Sequence, residues 1–319
     1  MDKKGNRVVI TGSTGAIGLA LIDECVMRNI CVLAIVRESS DKRYRIPVNP
    51  LIEVEELELD KYGNVPDDLL ERHGDKPYDV FFHLAWDATQ GDEARDQLLP
   101  QAMNIKYSLD AVELAYKFGC HTFVGAGSQA EYGRTQETLT EVTECRPETP
   151  YGIAKLCAGQ LTRIACKQHG IKHIWPRILS AYGPNCQPQT IINYSITEFL
   201  NKRIPKLTKC EQIWDFIYTD DVARALLLLA DKGRDGEAYV IGSGDARPLR
   251  EFMTILRDIV APSEELGLGE KPYSDRTVMH LSCDITKLKV DTGFEVLTSF
   301  EDGIKQTRDW VSVNLEEKV

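Results

Sequence analysis

Between Val8 and Gly18 the chain reads VVITGSTGAIG, and no other stretch restricts its fold as strongly. Val8, Val9 and Ile10 form a β-branched apolar run, the pattern of a parallel strand buried on both faces. Gly12, Gly15 and Gly18 follow and lead into a helical stretch over residues 16–28. Strand, glycine turn and helix in this order form the context of a dinucleotide fingerprint. Gly12 permits the tight turn, Gly15 lets the backbone approach a pyrophosphate, and Gly18 lets helix and strand pack closely. Ser13, Thr14, Ala16 and Ile17 complete the segment whose exposed N–H groups face an anion at the helix start. The spacing is G-x-x-G-x-x-G rather than G-x-G-x-x-G, and the plainer alternative is an ordinary glycine-rich turn.

Residues 30–36 read as a second buried strand, followed by Arg37, Ser39, Ser40, Lys42 and Arg43. An acidic residue at this strand end would bind a ribose 2′-hydroxyl and select NAD, whereas a basic one accommodates a 2′-phosphate. Arg37 therefore predicts NADP in preference to NAD, against the alternative of a solvated basic loop. A weak strand over 51–59 ends at Asp60, which reaches an adenine amino group or merely caps the next segment. Residues 78–85 form a further strand, placing Leu84, Ala85 and Trp86 beside the cofactor. His83, inside that apolar strand, reads as a packed histidine rather than a catalytic one. A helix is expected over 93–118, ended by Gly119. A strand over 121–126, the loop 127–133, a helix from Pro150 to His169 and a strand over 173–179 come next. The alternation predicts an α/β, Rossmann-type doubly wound parallel sheet.

Beyond residue 180 the rhythm changes. Helices are expected over 191–200, 220–229 (capped by Thr219 or Asp220), 249–260 and 300–311. Short strands are expected at 216–218 and 238–241, the latter returning to the sheet. Residues 202–210 read as a basic connector and 264–273 as a loop. The expected division is a dinucleotide-binding domain over 1–180, with a return at 211–242, and a smaller α/β substrate-binding lobe over 181–319.

The 319 residues carry a formal net charge of −11 and no long basic block, which argues against nucleic acid and anionic membrane as partners. No apolar run is long enough to span a bilayer, and MDKKGNR leads into the first strand without a signal-type apolar region. Nine cysteines, an odd number without a C-x-x-C pair, fit reduced thiols in a cytoplasmic protein and predict no metal site.

Tyr151 and Lys155 are four residues apart at the start of a helix, and so share a face. An ammonium there stabilises a phenolate, making an acid/base of a group that ordinarily titrates near pH 10. Lys155 can also bond a cofactor ribose. Ser128, in the loop after the strand 121–126, lies at the C-terminal edge of the sheet, where its hydroxyl can orient a substrate oxygen. Alone, such a Tyr–Lys pair reads as helix surface. After a glycine fingerprint and a serine-bearing loop, it reads as a site.

TGSTGAIG, HLAW, GSQAEYG, YGIAK and RILSAYGPN, in this order, resemble the extended short-chain dehydrogenase/reductase family of nucleotide-sugar epimerases, dehydratases and ketoreductases. The resemblance implies a Ser128–Tyr151–Lys155 triad, with Asn104 as a structural or relay residue. It implies NAD or NADP in the first lobe, a nucleoside-diphosphate sugar in the second, and a homodimer formed through the helices 93–118 and 151–168. It also exposes departures. Gln129 and Ala130 stand where dehydratase members carry Asp-Glu, and Glu131 comes one residue late. Ser180 replaces a phosphate-contacting Asn, and Trp214 replaces an Arg before Asp215-Phe216-Ile217, as a stacking face or as core. Arg276 resembles a remaining phosphate-binding arginine. The expectation is an NADP-preferring nucleotide-sugar 4-ketoreductase, with Ser128, Gln129, Ser180, Trp214 and Arg276 toward the substrate. The alternatives are a 4-epimerase with retained NAD and, in another class, a non-catalytic dinucleotide-binding regulator.

Overall fold

The computed structural model describes residues 7–73, 77–89 and 91–316. Its centre is a parallel sheet of β1 (Arg7–Thr11), β2 (Cys31–Val36), β3 (Ile52–Glu56), β4 (Val80–His83), β5 (Thr122–Gly125), β6 (Gly127–Ser128), β7 (Lys172–Ile178) and β11 (Glu237–Ile241). The strand order is β11-β7-β5-β4-β1-β2-β3, with the short β6 continuing alongside β7. The remaining strands are β8 (Ser180–Tyr182), β9 (Ile213–Trp214), β10 (Phe216–Tyr218) and β12 (Arg247–Pro248), joined in two small pairs, β8–β10 and β9–β12.

The apolar strands fill two cores at once, because successive side chains leave opposite faces. Val8, Ile10 and Phe82 face α1 (Ala16–Met27) and α7 (Thr219–Lys232), meeting Leu19, Ile22, Val222 and Leu226. Val9, Leu33, Phe81 and Phe123 face the other way, toward Ala111, Val112 and Ala115 of α4 (Leu98–Lys117) and Cys166 of α5 (Pro150–His169). A third core gathers Tyr182, Ile196, Phe216, Phe252, Met253 and Ile304 among α6 (Ile191–Leu200), α8 (Leu249–Val260) and α10 (Phe300–Glu316).

Several sequence expectations are corrected. The helix expected over 93–118 is two, α3 (Gly91–Arg95) and α4, broken at Asp96 and Gln97. Pro100 explains the break, since it lacks the N–H that would bond the carbonyl of residue 96 and its ring clashes there. The strand at 51–59 stops at Glu56 and gives way to a 3₁₀ turn, Leu59–Lys61. α7 begins one residue earlier than expected, with Tyr218 at the cap position rather than Thr219 or Asp220. The short helix that the sequence suggests over 67–73 is present as α2 (Asp67–His73), whereas α9 (Thr286–Thr292), closed by Gly293 with φ 75°, went unforeseen.

Candidate active site

β1 ends at Thr11 opposite His83, and β4 is in register with β5 through His83 and Gly125. The loops after these three strands therefore open at one edge of the sheet. Gly12 takes φ +73°, and a Cβ there would lie 2.7 Å from the backbone N of Ala85. A Cβ on Gly18 would overlap the Gly12 carbonyl oxygen. Turn, helix and the end of β4 thus meet backbone to backbone. α1 starts after the exposed Gly15 with no acidic residue in its first turn, so its N–H groups face solvent without a competing negative charge. This cradle fits a dinucleotide phosphate. Thr14, Ala16 and Ile17 are partly exposed along it. Ser13 is buried, and its hydroxyl donates to Ile10 O and Ile35 O, tying β1 to β2 rather than pointing to a ligand.

Ser128 caps the 3₁₀ turn Gln129–Glu131: its hydroxyl accepts from Ala130 N (3.2 Å), and its own N–H donates to Glu131 Oε1 (2.8 Å). α5 is capped by Thr149, whose hydroxyl accepts from Gly152 N (3.1 Å), with Pro150 in the first position. Gly152 decides the approach of the two segments, because a Cβ there would overlap the Ala130 carbonyl oxygen. The start of α5 is thereby pressed onto the turn, and the Tyr151 phenol meets the Ser128 hydroxyl. Burial holds the phenol above its ordinary pKa, while Arg95 and the Ser128 hydrogen bond pull it down. Tyr151 is consequently a protonated acid at neutral pH.

One turn further on, Lys155 is only 4% exposed. Its ammonium donates to Ala126 O (2.7 Å) and lies 3.6 Å from the centre of the Trp86 ring and 5.8 Å from that of Tyr151. Burial lowers its pKa to about 7, with Glu131 opposing the shift and Arg95 adding to it. Trp86 meets Tyr151 edge-on at 6.1 Å. The three groups can pass a proton from phenol to a bound oxygen and stabilise the phenolate left behind.

α4 braces the loop above them. Asn104 holds Asp87 by both backbone groups (2.9 and 3.0 Å), and Gln101 accepts from the Trp86 indole (2.9 Å) and donates to Ala88 O (2.9 Å). Of the two roles open to Asn104, this geometry supplies the structural one. His83 is packed: its ring nitrogens meet Thr11 and Ser108 hydroxyls (3.0 and 3.4 Å), and burial drives its pKa down to about 3.

Arg37 follows β2 with its guanidinium half exposed, 3.8 Å from Asp87. Its neighbour Arg43 is engaged by Glu56. Asp60 is exposed on the 3₁₀ turn, and Leu84, Ala85 and Gln129 are partly exposed. Ser180 opens β8 opposite Phe216. Trp214 packs against both the first and the third core with part of its ring exposed. Arg276 is exposed but ion-paired with Asp96 at the α3–α4 junction. Glu131 turns into the interior. Three features escape sequence reasoning: Arg95, whose guanidinium sits 5.0 Å over the Tyr151 ring, the contact surface at Gly152, and the Glu131–Arg177 pair. No group of three metal-ligating side chains occurs among the described residues, and no described helix is long and apolar enough to cross a membrane.

Residues 8–242 match the model of the NAD dependent epimerase/dehydratase family. A dTDP-glucose 4,6-dehydratase of Salmonella typhimurium is 30% identical over 198 residues, 59% of this chain and 54% of that protein. The match thus spans about half the length of that relative. An uncharacterized UDP-glucose epimerase of Bacillus subtilis is 25% identical over 71% of this chain and 72% of its own. Among solved structures, the UDP-glucose 4-epimerase of Thermotoga maritima superposes with a TM-score of 0.82 at 24% identity, covering 97% of this chain and 99% of the other, a likeness of fold.

Proposed function

The chain belongs to the NAD-dependent epimerase/dehydratase family, and on that premise we propose that it is a nucleotide-sugar 4-ketoreductase that prefers NADP. The observation that carries the reading is the convergence of Ser128, Tyr151 and Lys155 beside the glycine cradle. When bound, the nicotinamide exchanges hydride with the sugar carbon. Tyr151 gives its proton to the oxygen on that carbon, Ser128 orients the oxygen, and Lys155 balances the phenolate. The third core, with Trp214 packed on it and Ser180 at the start of β8, is read as the substrate lobe, and Arg276, ion-paired with Asp96, as a further residue toward the substrate. Exposed Met103 and Tyr116 of α4 and Ile153, Leu161 and Ile164 of α5 support a homodimer through these helices. A scaffold protein requires none of the three converging groups, which weighs against the non-catalytic reading.

Dehydration fits less well, because the turn after Ser128 presents Gln129 and Ala130, and Glu131 accepts three internal hydrogen bonds. Reduction and 4-epimerisation use the same three residues and differ in the fate of the cofactor. A panel of 4-keto-6-deoxy nucleotide sugars should be reduced with one NADPH oxidised per sugar, by protein that purifies largely free of bound NAD. Interconversion of UDP-glucose and UDP-galactose without added cofactor would instead establish the epimerase.

Arg37 carries the choice of NADP. Its only ion-pair partner among the described residues is Asp87, at 3.8 Å on the surface, a weak contact easily exchanged for a phosphate. A charge-assisted contact to a 2′-phosphate contributes about 1.5–3 kcal/mol, roughly tenfold or more in affinity. Arg37→Asp should therefore weaken NADPH binding by about that factor and leave NADH nearly unchanged. Titrating both cofactors into both proteins checks this, and a wild type that already prefers NADH reduces Arg37 to a surface charge.

A further inference from the structure

Lys155 is a buried ammonium whose direct contacts are one carbonyl and two ring faces; among the described residues no carboxylate lies at ion-pairing distance. Two residues beyond that carbonyl, on the same extended segment, Ser128 N–H is gripped by Glu131. Glu131 is fully buried. Its Oε1 accepts from Ser128 N (2.8 Å) and Trp175 Nε1 (3.0 Å), and its Oε2 from Arg177 Nε (2.8 Å). Arg177 donates onward to the Tyr132 hydroxyl (3.1 Å), which donates to Thr140 O (2.8 Å).

We propose that Glu131 is a positioning residue of the Ser128–Tyr151–Lys155 site, fixing the Ser128 backbone and supplying the negative charge that the buried Lys155 lacks. The proposal rests on the proton-transfer reading given above. A buried ion pair is a poor brace, since apolar side chains of similar volume hold a core as well or better. An ionised group in this place therefore calls for a further role. Its carboxylate faces the active loop through Ser128, while Arg177 closes its far side. In that arrangement Glu131 opposes the loss of the Lys155 proton that burial promotes. The other groups acting on Lys155 are Arg95 from α3, which works against its charge, and the rings of Tyr151 and Trp86. His83 on β4 is neutral and feels the Lys155 charge in turn.

The test reads Lys155 directly, so that it does not depend on a known substrate. The protein is labelled with ¹³C at lysine Cε and titrated by NMR, the Lys155 signal being identified by its loss in Lys155→Met. Glu131→Gln alone would strand a buried guanidinium, so the charge is removed as a neutral pair, Glu131→Gln with Arg177→Met. The midpoint of Lys155 should fall by about one pH unit, the low end of the effect of a nearby opposite charge. Arg177→Lys, which keeps a positive charge opposite Glu131, should not lower it. Trp175→Phe, which removes one neutral donor and keeps both charges, should leave it within a few tenths of a unit and serves as the variant of last resort if the pair fails to fold. An unchanged midpoint in the double variant, or a fall of a full unit in Trp175→Phe, reduces Glu131 to a structural brace and overturns the proposal. Inactivity of the wild type on every nucleotide sugar would count against the reductase reading and not against this one.

Discussion

Tyr151→Phe is expected to lower turnover by about 100- to 10,000-fold, the usual contribution of a general acid–base group, with dinucleotide affinity almost untouched. The substitution removes one oxygen and nothing else. The ring keeps its edge-on contact with Trp86 and its place beneath the Arg95 guanidinium. The glycine cradle lies on another segment, and Lys155, one turn further along α5, keeps its bond to Ala126 O. The lost hydroxyl is also the one that the reading assigns to the substrate oxygen as proton donor, since the Lys155 ammonium already donates to the Ala126 carbonyl. Reduction rates measured at saturating cofactor, together with a cofactor titration of both proteins, check the two halves separately. Activity within a few-fold of wild type would remove Tyr151 from the mechanism. Parallel loss of cofactor binding would mean that the phenol has a structural role instead.

The parts of this site that were legible in the sequence are those set by local rules. The run of apolar residues from Val8 to Ile10 can only be a strand buried on both sides, and the structure sends Val8 and Val9 into different cores. The glycines are legible because close backbone approach leaves no alternative residue at Gly12 or Gly18. Tyr151 and Lys155 share a face by helix geometry alone. Pro100 was a local signal too, and it marks a break that the apolar periodicity of 93–118 runs straight across. What was not legible depends on distant segments. The burial of Lys155 needs Trp86 and Ala126, from the segments that follow β4 and β5 far earlier in the chain. Arg95 over Tyr151 is set by the path of a polar stretch that has no periodicity to read. Glu131 lies between these cases. Beside Ser128 it looks like a displaced site acid, yet Ser128-x-x-Glu131 is also a capping box, in which the glutamate folds back onto the serine N–H. The box holds, and the same fold-back carries the carboxylate inward to Arg177.

Lys155→Met should reduce turnover on the order of 100-fold, by analogy with other groups that assist proton transfer, and should also weaken dinucleotide binding. The same variant should be no less stable than wild type at neutral pH, and the reasoning turns on the direction of its pKa shift. Burial is the main cause of the shift from about 10.5 to about 7. The folded chain therefore binds the lysine proton less tightly than the unfolded chain does. Below about pH 7 the ammonium is present in the fold and its burial opposes stability in full. As pH rises toward the ordinary lysine range the opposition fades, because the amine is neutral in the fold and must take up a proton on unfolding. Methionine fills nearly the same volume without that charge, so its thermal midpoint near pH 6 should equal or exceed that of wild type, even with the Ala126 carbonyl left without its donor. Activity carries the opposite sign. The ammonium balances the phenolate, so the reductive rate of wild type should fall as pH rises through about 7, and this limb should be missing from the residual rate of the methionine variant. Melting curves and pH–rate profiles on the two proteins measure both. A variant that melts several degrees lower at pH 6 would make Lys155 a structural lysine, and a wild-type profile flat up to pH 9 would mean that its charge state does not limit the reaction. Stability gained together with turnover lost is the outcome expected of a side chain kept for chemistry at the expense of the fold.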